Sequence, residues 1–184
     1  MINAWQLRQT ARSLQGGEVI AYPTESVYGL GCDPFNQLAL SRILDIKQRP
    51  AHKGLIILVS DISQALPFIH PLTSPQLQQL AQPQQRATTW LIKCRQSVSP
   101  LLRGHFESLA VRITTHPIAK AICEYTDSAL VSTSCNIAGK PELPSAVAVR
   151  NHMCAKVNRI VGGRCGAQQP SKIIDLTSGR VIRQ

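Results

Sequence analysis

The chain has 184 residues, 43% of them hydrophobic, which predicts one globular domain spanning residues 1–184 with enough chain to bury a core. Its 20 lysines and arginines against 10 acidic residues give a formal net charge of +10, which favours a polyanionic or phosphorylated ligand. No apolar run approaches the ~20 residues of a membrane span, and the N-terminus has no recognisable signal peptide, so we expect a cytoplasmic protein without membrane contact.

The first half of the chain alternates between helical and extended patterns. Its first helix has a capping-box signature in Asn3 and Gln6 and a stop signal at Gly16. The continuous apolar run at residues 55–59 is typical of a strand that is buried on both faces of a sheet. Helices are predicted at residues 3–15, 36–47 and 74–80, and strands at residues 19–22 and 55–59.

The second half of the chain is richer in predicted strands and carries most of the excess positive charge. Strands are predicted at residues 89–92, 109–113, 129–132, 172–175 and 180–182, and helices at residues 117–125 and 145–153. The last two strands form a predicted hairpin across Ser178 and Gly179. The alternation of strands and helices predicts a sheet layered with helices, of the α/β or α+β class.

Three cations lie close together after the second predicted helix. Lys47 and Arg49 sit at or just past its C-terminus, where the helix dipole favours positive charge, and Lys53 follows beyond Pro50. The dipole explains Lys47 alone, and three mutually repelling cations need either a shared anion or separate directions. Because lysine supplies a point charge and arginine a planar fork, a nucleotide phosphate would satisfy all three.

Two polar segments follow predicted strands. Residues 22–31 combine hydroxyl side chains with two glycines, at a position where ligands bind in open α/β sheets; an ordinary turn is the competing interpretation. Ser132, Ser134 and Asn136 alternate along the chain, so they would share one face of an extended segment. They predict either a polar ligand wall or a cap for the next helix or turn.

Arg112 lies within an apolar predicted strand. A buried arginine needs an anionic partner, which is either a ligand carboxylate or phosphate or the acid of a structural salt bridge. The scarcity of acids in this chain favours the ligand. The six cysteines contain no C-x-x-C pair and no Cys/His spacing resembles a zinc site, so we predict no metal-ligating residues.

Taken together, several of these segments resemble one known family, the YrdC/Sua5 family in its short bacterial form. The segments are residues 22–31, Lys47 with Arg49, residues 132–139 and residues 171–176. The resemblance covers nearly the whole chain, from about Ala11 to Arg183. Several motifs in one order and at comparable spacing make it far more specific than any single motif.

The resemblance implies a fold and a reaction. The fold would be α/β, a twisted mixed sheet flanked by helices around a large basic concave cleft. L-Threonine, bicarbonate and ATP, the last accompanied by Mg²⁺, would give L-threonylcarbamoyladenylate and pyrophosphate. Partner proteins would then transfer the threonylcarbamoyl group to the adenosine beside the anticodon of certain tRNAs.

The resemblance also implies roles for individual residues. Lys47 and Arg49 would make the catalytic contacts to the triphosphate, and Arg112 would hold the threonine carboxylate. The implied ATP-binding residues are Lys47, Arg49, Lys53, Thr89, Ser134, Asn136 and Arg183. The implied threonine-binding residues are Thr24, Arg112, Ser132 and Ser171.

Two segments depart from the pattern of the family. Residues 84–90 lack the Trp-Pro-Gly-Pro stretch that many members carry before the ATP-contacting threonine, here Thr89. Lys53 and Gly54 replace a more frequent Lys-Pro pair, which predicts a looser loop.

Two other functions compete with the synthase. A protein that binds double-stranded RNA or tRNA, acting in ribosomal RNA maturation, fits the net charge of +10. The low aromatic content of 4% disfavours a protein that stacks single-stranded bases. The carbamoyl-transfer module of hydrogenase maturation shares the implied fold, but the accessory domains of those larger proteins have no counterpart in this sequence.

Overall fold

Helices and strands alternate along the computed structural model, which describes residues 2–166 and 169–184. Within these residues the α-helices are α1 (Ala4–Gln15), α2 (Gln37–Lys47), α3 (Ser74–Ala81), α4 (Pro100–Arg103), α5 (Pro117–Thr126) and α6 (Ala146–Met153). The strands of the same residues are β1 (Ile20–Pro23), β2 (Tyr28–Gly31), β3 (Ile56–Val59), β4 (Thr88–Lys93), β5 (Ser108–Ile113), β6 (Leu130–Ser134), β7 (Arg159–Ile160), β8 (Lys172–Asp175) and β9 (Val181–Arg183). None of these helices is long and apolar enough to cross a bilayer.

The strands of the described residues form one sheet, in the order β7-β1-β2-β6-β3-β5-β4-β8-β9. Strand β1 runs parallel to β7, β3 to β5 and β4 to β8, and the other neighbours are antiparallel. The sheet is therefore mixed, and the α/β architecture is confirmed. The predicted terminal hairpin is also confirmed, as β8 and β9.

Helices cover both faces of the sheet, as the apolar run at β3 predicted. Ile57 and Val59 belong to the hydrophobic cluster that contains Leu40 of α2. The residue between them, Leu58, belongs to a second cluster with Ile118 of α5. Because successive side chains of a strand point to opposite faces, β3 is buried between the two clusters.

Side-chain caps fix the starts of the helices. The Oδ1 atom of Asn3 accepts a hydrogen bond from the Gln6 backbone N–H at 2.8 Å, and Gln6 Oε1 accepts one from the Asn3 N–H at 3.1 Å. The predicted capping box is thus confirmed. At α2, the Oδ1 atom of Asn36 accepts from the Ala39 N–H at 3.0 Å, so the segment that carries Lys47 begins at a defined residue.

Residues 20–31 form a β-hairpin, whereas the sequence predicted one strand at residues 19–22 followed by a loop. Strands β1 and β2 pair antiparallel, with Pro23 opposite Tyr28. Proline and glycine are poor strand formers, which is why the second strand was missed. An added Cβ on Gly31 would lie 2.7 Å from Tyr22 Cε1, so this glycine makes room for a buried neighbouring side chain.

Two glycines let the segment after α2 pack against the end of α4. Gly54 has φ +60° and Gly104 has φ +68°, in the region that favours glycine. An added Cβ would lie 2.3 Å from the His52 carbonyl oxygen at Gly104 and 2.9 Å from the Arg103 carbonyl oxygen at Gly54. The proline more frequent in the family at position 54 cannot adopt this φ, so the turn of this chain depends on glycine.

We expect Gly104→Ala to lower the free energy of unfolding by about 2–4 kcal/mol, because the new Cβ meets backbone atoms and the residue keeps a strained φ. Gly162→Ala is the matched control, since no heavy atom lies within 4 Å of a Cβ there and its φ is not positive. Its effect should stay within about 0.5 kcal/mol. Urea denaturation followed by circular dichroism measures both, and equal effects would contradict the close packing of Gly104.

Candidate active site

A cleft of about 280 Å³ lies against the central strands of the sheet. Its walls come from the β1–β2 hairpin, from the segment between α2 and β3, and from β5, β6, β8 and β9. The predicted site residues that line it are Thr24, Arg49, Lys53, Arg112, Ser132, Ser134, Ser171 and Arg183. The fold therefore brings together residues from both ends of the chain.

Strand β6 presents only part of its predicted polar wall to the cleft. Ser132 and Ser134 alternate along β6 and both line the cleft, as predicted. Asn136 lies beyond the end of β6 and lines a second cavity of about 340 Å³, with apolar residues such as Leu143 and Met153. The amide of Asn136 closes the turn after β6 instead, accepting from Ser134 Oγ at 2.8 Å.

Arg112 is the buried cation of the site, 9% exposed in the middle of β5. Its Nε donates to Thr89 Oγ1 at 3.0 Å, and its Nη2 donates to Ser171 Oγ at 2.8 Å. Its Nη1 lies 3.7 Å from Glu25 Oε2, so the salt-bridge alternative is confirmed. Burial lowers the pKa of Arg112, and the charge of Glu25 opposes that shift.

Glu25 was not among the predicted site residues, yet it is the acid that pairs with Arg112. Its Oε1 accepts from Thr114 Oγ1 at 2.6 Å, from the Thr115 N–H at 3.1 Å and from the His116 N–H at 3.3 Å. Burial raises the pKa of Glu25, but these donors and the Arg112 charge outweigh it and lower the pKa below its ordinary value. The sequence feature that could have identified Glu25 is its position within the hydroxyl-rich residues 22–31, in a chain with only 10 acidic residues.

Ser171 joins two cations of the cleft. Its Oγ accepts from Arg112 Nη2 and from Arg183 Nη2, the second at 3.2 Å, and lies 2.9 Å from Thr89 Oγ1. Arg183 also donates from Nη2 to the Ser171 carbonyl oxygen at 2.8 Å. Thr89 is fully buried and does not line the cleft, so its contact here is to Arg112 and Ser171.

Lys47 is not among the cleft-lining residues, and its amine lies in the turn after β6, 3.4 Å from Oγ of the cleft-lining Ser134. It is 3% exposed, and its Nζ donates to the backbone oxygen of Ser134, to that of Asn136 at 3.0 Å, and to Asn136 Oδ1 at 2.9 Å. Burial, together with the charge of Arg49, lowers the pKa of Lys47 to about 8. The amine is thus already hydrogen-bonded to protein oxygens.

Arg49 and Lys53 face the cleft, so the three clustered cations take different directions. Arg49 Nε and Nη2 donate to the Gly54 carbonyl oxygen at 3.2 Å and 3.1 Å, which holds the guanidinium against its own turn. Burial lowers the pKa of Arg49. The charge of Arg49 still acts on Lys47, as the lowered pKa of Lys47 shows, while Arg49 and Lys53 line one cleft and could contact one anion there.

The described residues contain no group of three or more His, Cys, Asp or Glu side chains that could hold a metal ion. Among the cleft-lining residues, Glu142 supplies a carboxylate. Mg²⁺ is commonly held by one or two carboxylates together with substrate phosphates. The Glu142 carboxylate therefore fits a Mg²⁺ ion whose other ligands would come from a polyphosphate.

Known proteins resemble this chain over nearly its whole length. The family Sua5_yciO_yrdC, described as "Telomere recombination", matches residues 12–184. A threonylcarbamoyl-AMP synthase of Nitrosococcus oceani is 41% identical over 180 residues, covering 97% of this chain and 97% of that protein. A threonylcarbamoyl-AMP synthase of Chromobacterium violaceum is 45% identical over 179 residues, covering 97% and 93%.

A solved structure agrees with these sequence matches. P. abyssi Sua5, crystallised in complex with L-threonine, is similar to this chain with a TM-score of 0.89 at 30% identity. The match covers 98% of this chain and 54% of the P. abyssi protein, so this chain spans about half the length of that Sua5. As the order of its motifs predicted, the chain belongs to the Sua5/YciO/YrdC family.

Proposed function

We propose that this chain is a threonylcarbamoyl-AMP synthase, a nucleotidyltransferase that forms L-threonylcarbamoyladenylate and pyrophosphate from L-threonine, bicarbonate and ATP. The observation that carries the proposal is the 41% identity, over 97% of both chains, to a protein of that name. The cleft supports it, because the cations Arg49, Lys53, Arg112 and Arg183 line one cavity that also contains several hydroxyl groups.

The threonine end of the cleft is proposed to lie at Arg112. The guanidinium is held by neutral hydroxyls on two nitrogens, and its Nη1 is 3.7 Å from Glu25, beyond hydrogen-bonding distance. It can therefore donate to a substrate carboxylate while remaining anchored. The hydroxyls of Thr24, Ser132 and Ser171 line the same cleft and offer partners for the polar groups of threonine.

The ATP end is proposed to lie at Arg49 and Lys53, and we propose this cleft as the basic concave site that the family resemblance implies. Arg183 and Ser134 line the cleft with them and complete the proposed triphosphate contacts. Lys47 supports this end through the Ser134 backbone and adds a nearby positive charge. The proposed roles of the buried Thr89 and of the turn residue Asn136 are correspondingly indirect, through Arg112 and through Lys47.

The proposed reaction needs positioning and charge neutralisation more than a nucleophilic side chain. The amine of threonine and bicarbonate first form the carbamate and release water. A carbamate oxygen then attacks the α-phosphorus of ATP, the bond from that phosphorus to the bridging oxygen breaks, and pyrophosphate leaves. Cations around the phosphates stabilise the charge that moves onto the leaving group.

The remaining participants in the proposal are Mg²⁺, partner proteins and tRNA. Glu142, the carboxylate in the cleft lining, would help to hold a Mg²⁺ ion bound to ATP, and such an ion would supply charge neutralisation at the phosphates. The product is a mixed anhydride, which is an activated acyl donor. The partner proteins in this proposal consume L-threonylcarbamoyladenylate. They transfer its threonylcarbamoyl group to an adenosine of tRNA.

The direct test is pyrophosphate release by the purified protein with ATP, bicarbonate, Mg²⁺ and L-threonine. We expect release that depends on every substrate and stops when L-threonine is omitted. Replacing L-threonine by D-threonine is a matched control, because the carboxylate and the amine cannot both keep their contacts in the mirror image. Release that does not require L-threonine would contradict the proposed function.

Arg112→Lys should raise the KM for L-threonine by about tenfold or more, because lysine lacks the fork that holds a carboxylate together with Thr89 and Ser171. The KM for ATP should stay within about twofold. Arg8→Lys, at an exposed position on α1, is the matched control and should change neither value. An unchanged threonine KM in Arg112→Lys would remove Arg112 from the threonine site.

The dependence of kcat/KM for ATP on pH should reveal the protonation state of the Lys47 amine. It is protonated below a pKa of about 8 and loses its positive charge as the pH rises through that value, so kcat/KM for ATP should fall on the alkaline side. Lys47→Arg keeps a charge at all these pH values, so its residual activity should lack that fall. A variant profile with the same alkaline fall would exclude Lys47 as its cause.

A protein that binds double-stranded RNA or tRNA is the second candidate, favoured by the net charge of +10. Binding through phosphates should weaken steeply with salt and tolerate a single cation change. Synthase activity should instead fall by ~100-fold or more in Arg49→Ala even at low salt, because a positive charge proposed to stabilise the triphosphate is lost. RNA binding without threonine-dependent pyrophosphate release would favour the second candidate.

A further inference from the structure

Glu25 is an unusual carboxylate, because only one of its two oxygens is hydrogen-bonded. Its Oε1 receives the three donors of residues 114–116, while its Oε2 has no hydrogen-bond partner. In the part of the chain that the structure describes, no other buried side-chain nitrogen or oxygen lacks a partner. Buried polar atoms without partners are destabilising, so this exception calls for a specific cause.

The unpartnered oxygen faces Arg112. Its distance of 3.7 Å from Arg112 Nη1 is too long for a hydrogen bond but close enough for strong attraction between two buried charges. The other ion pair within the described residues joins Lys120 to Glu124 on the surface, so Glu25 is the carboxylate that balances Arg112 there. At this distance Nη1 keeps its hydrogen atoms for another acceptor.

Glu25 is held in place independently of Arg112. The donors to its Oε1 come from the end of β5 and the start of α5, which fix the carboxylate before any ligand binds. Glu25 is 4% exposed and is not among the cleft-lining residues, whereas Arg112 lines the cleft. The fixed carboxylate attracts the Nη1 end of the guanidinium, and the hydroxyl groups that accept from Nε and Nη2 hold the other two nitrogens, so the orientation of Arg112 in the cleft wall is fixed.

We propose that Glu25 is a positioning residue for threonine binding: it orients Arg112 and balances its charge, while leaving Nη1 free to donate to the threonine carboxylate. This inference rests on the proposed function. It predicts a selective effect on threonine binding, because Arg49 hydrogen-bonds within its own turn and not to Glu25. Arg183, also proposed to contact the phosphates, meets Arg112 only through Ser171 and is anchored separately by the Ser171 carbonyl oxygen.

The charge and the shape of Glu25 can be separated by two variants. Glu25→Gln keeps the shape and removes the charge, and it places an amide against the guanidinium. Glu25→Asp keeps the charge but shortens the side chain and leaves a small cavity. Positioning by charge makes Gln the more damaging change for threonine binding, whereas a purely structural role makes Asp the more damaging one.

We expect Glu25→Gln to raise the KM for L-threonine by about tenfold or more, and Glu25→Asp to raise it less, with the KM for ATP within about twofold in both. Glu124→Gln, which makes the same change in the exposed carboxylate that pairs with Lys120, is the control and should leave the threonine KM within about twofold. An unchanged threonine KM in Glu25→Gln, or a larger rise in Glu25→Asp, would overturn the inference.

A second measurement keeps the inference testable apart from the reaction. The Arg112 Nε–H group donates to the buried Thr89 Oγ1 and should give a slowly exchanging NMR signal, assigned by its loss in Arg112→Lys. The signal should persist in Glu25→Asp and be lost or exchange rapidly in Glu25→Gln. If the native protein releases no pyrophosphate, the proposed function fails while this signal still decides whether Glu25 positions Arg112. If Glu25→Gln does not fold, the Arg112 signal in folded Glu25→Asp decides the question. Persistence of the signal supports the inference, and its loss overturns the inference.

Discussion

The buried guanidinium of Arg112 is the interaction on which the site depends. Removing an arginine from water is costly unless an acid and hydrogen-bond acceptors receive it. Glu25, Thr89 and Ser171 supply these groups from three separate parts of the chain. They meet because the sheet order places β4 between β5 and β8, and because the β1–β2 turn approaches the end of β5. The pairing of β5, β4 and β8 therefore brings Arg112 two of its partners, and the β1–β2 turn brings the third.

A second buried cation, Lys47, links helix α2 to the turn after strand β6. Lys47 ends α2 and binds the backbone oxygens of Ser134 and Asn136, so it ties α2 to the turn after β6. The bond from the Ala138 N–H to the Lys47 carbonyl oxygen, at 2.8 Å, reinforces the same connection. In the proposed enzyme, Lys47 therefore shapes the nucleotide end of the cleft through the backbone as well as through its charge.

Local patterns predicted most helices and strands because each pattern reports on neighbouring residues. The capping box at Asn3 and the apolar run of β3 have causes that lie within a few residues. The same approach missed β2, since Pro23 and the glycines of the hairpin conceal a strand whose pairing partners stabilise it. It also missed the two-residue strand β7, which exists through its pairing with β1.

The sequence by itself determined the family, most of the helices and strands and most of the kinds of side chain in the site, because motifs and hydrophobic periodicity are present in the chain itself. Only the tertiary structure decided the partners of those side chains. It paired Arg112 with Glu25, turned Lys47 toward carbonyl oxygens and put Asn136 at a different cavity from Ser134. Burial and charge pairing depend on distances between segments far apart in the chain, and no local pattern contains those distances.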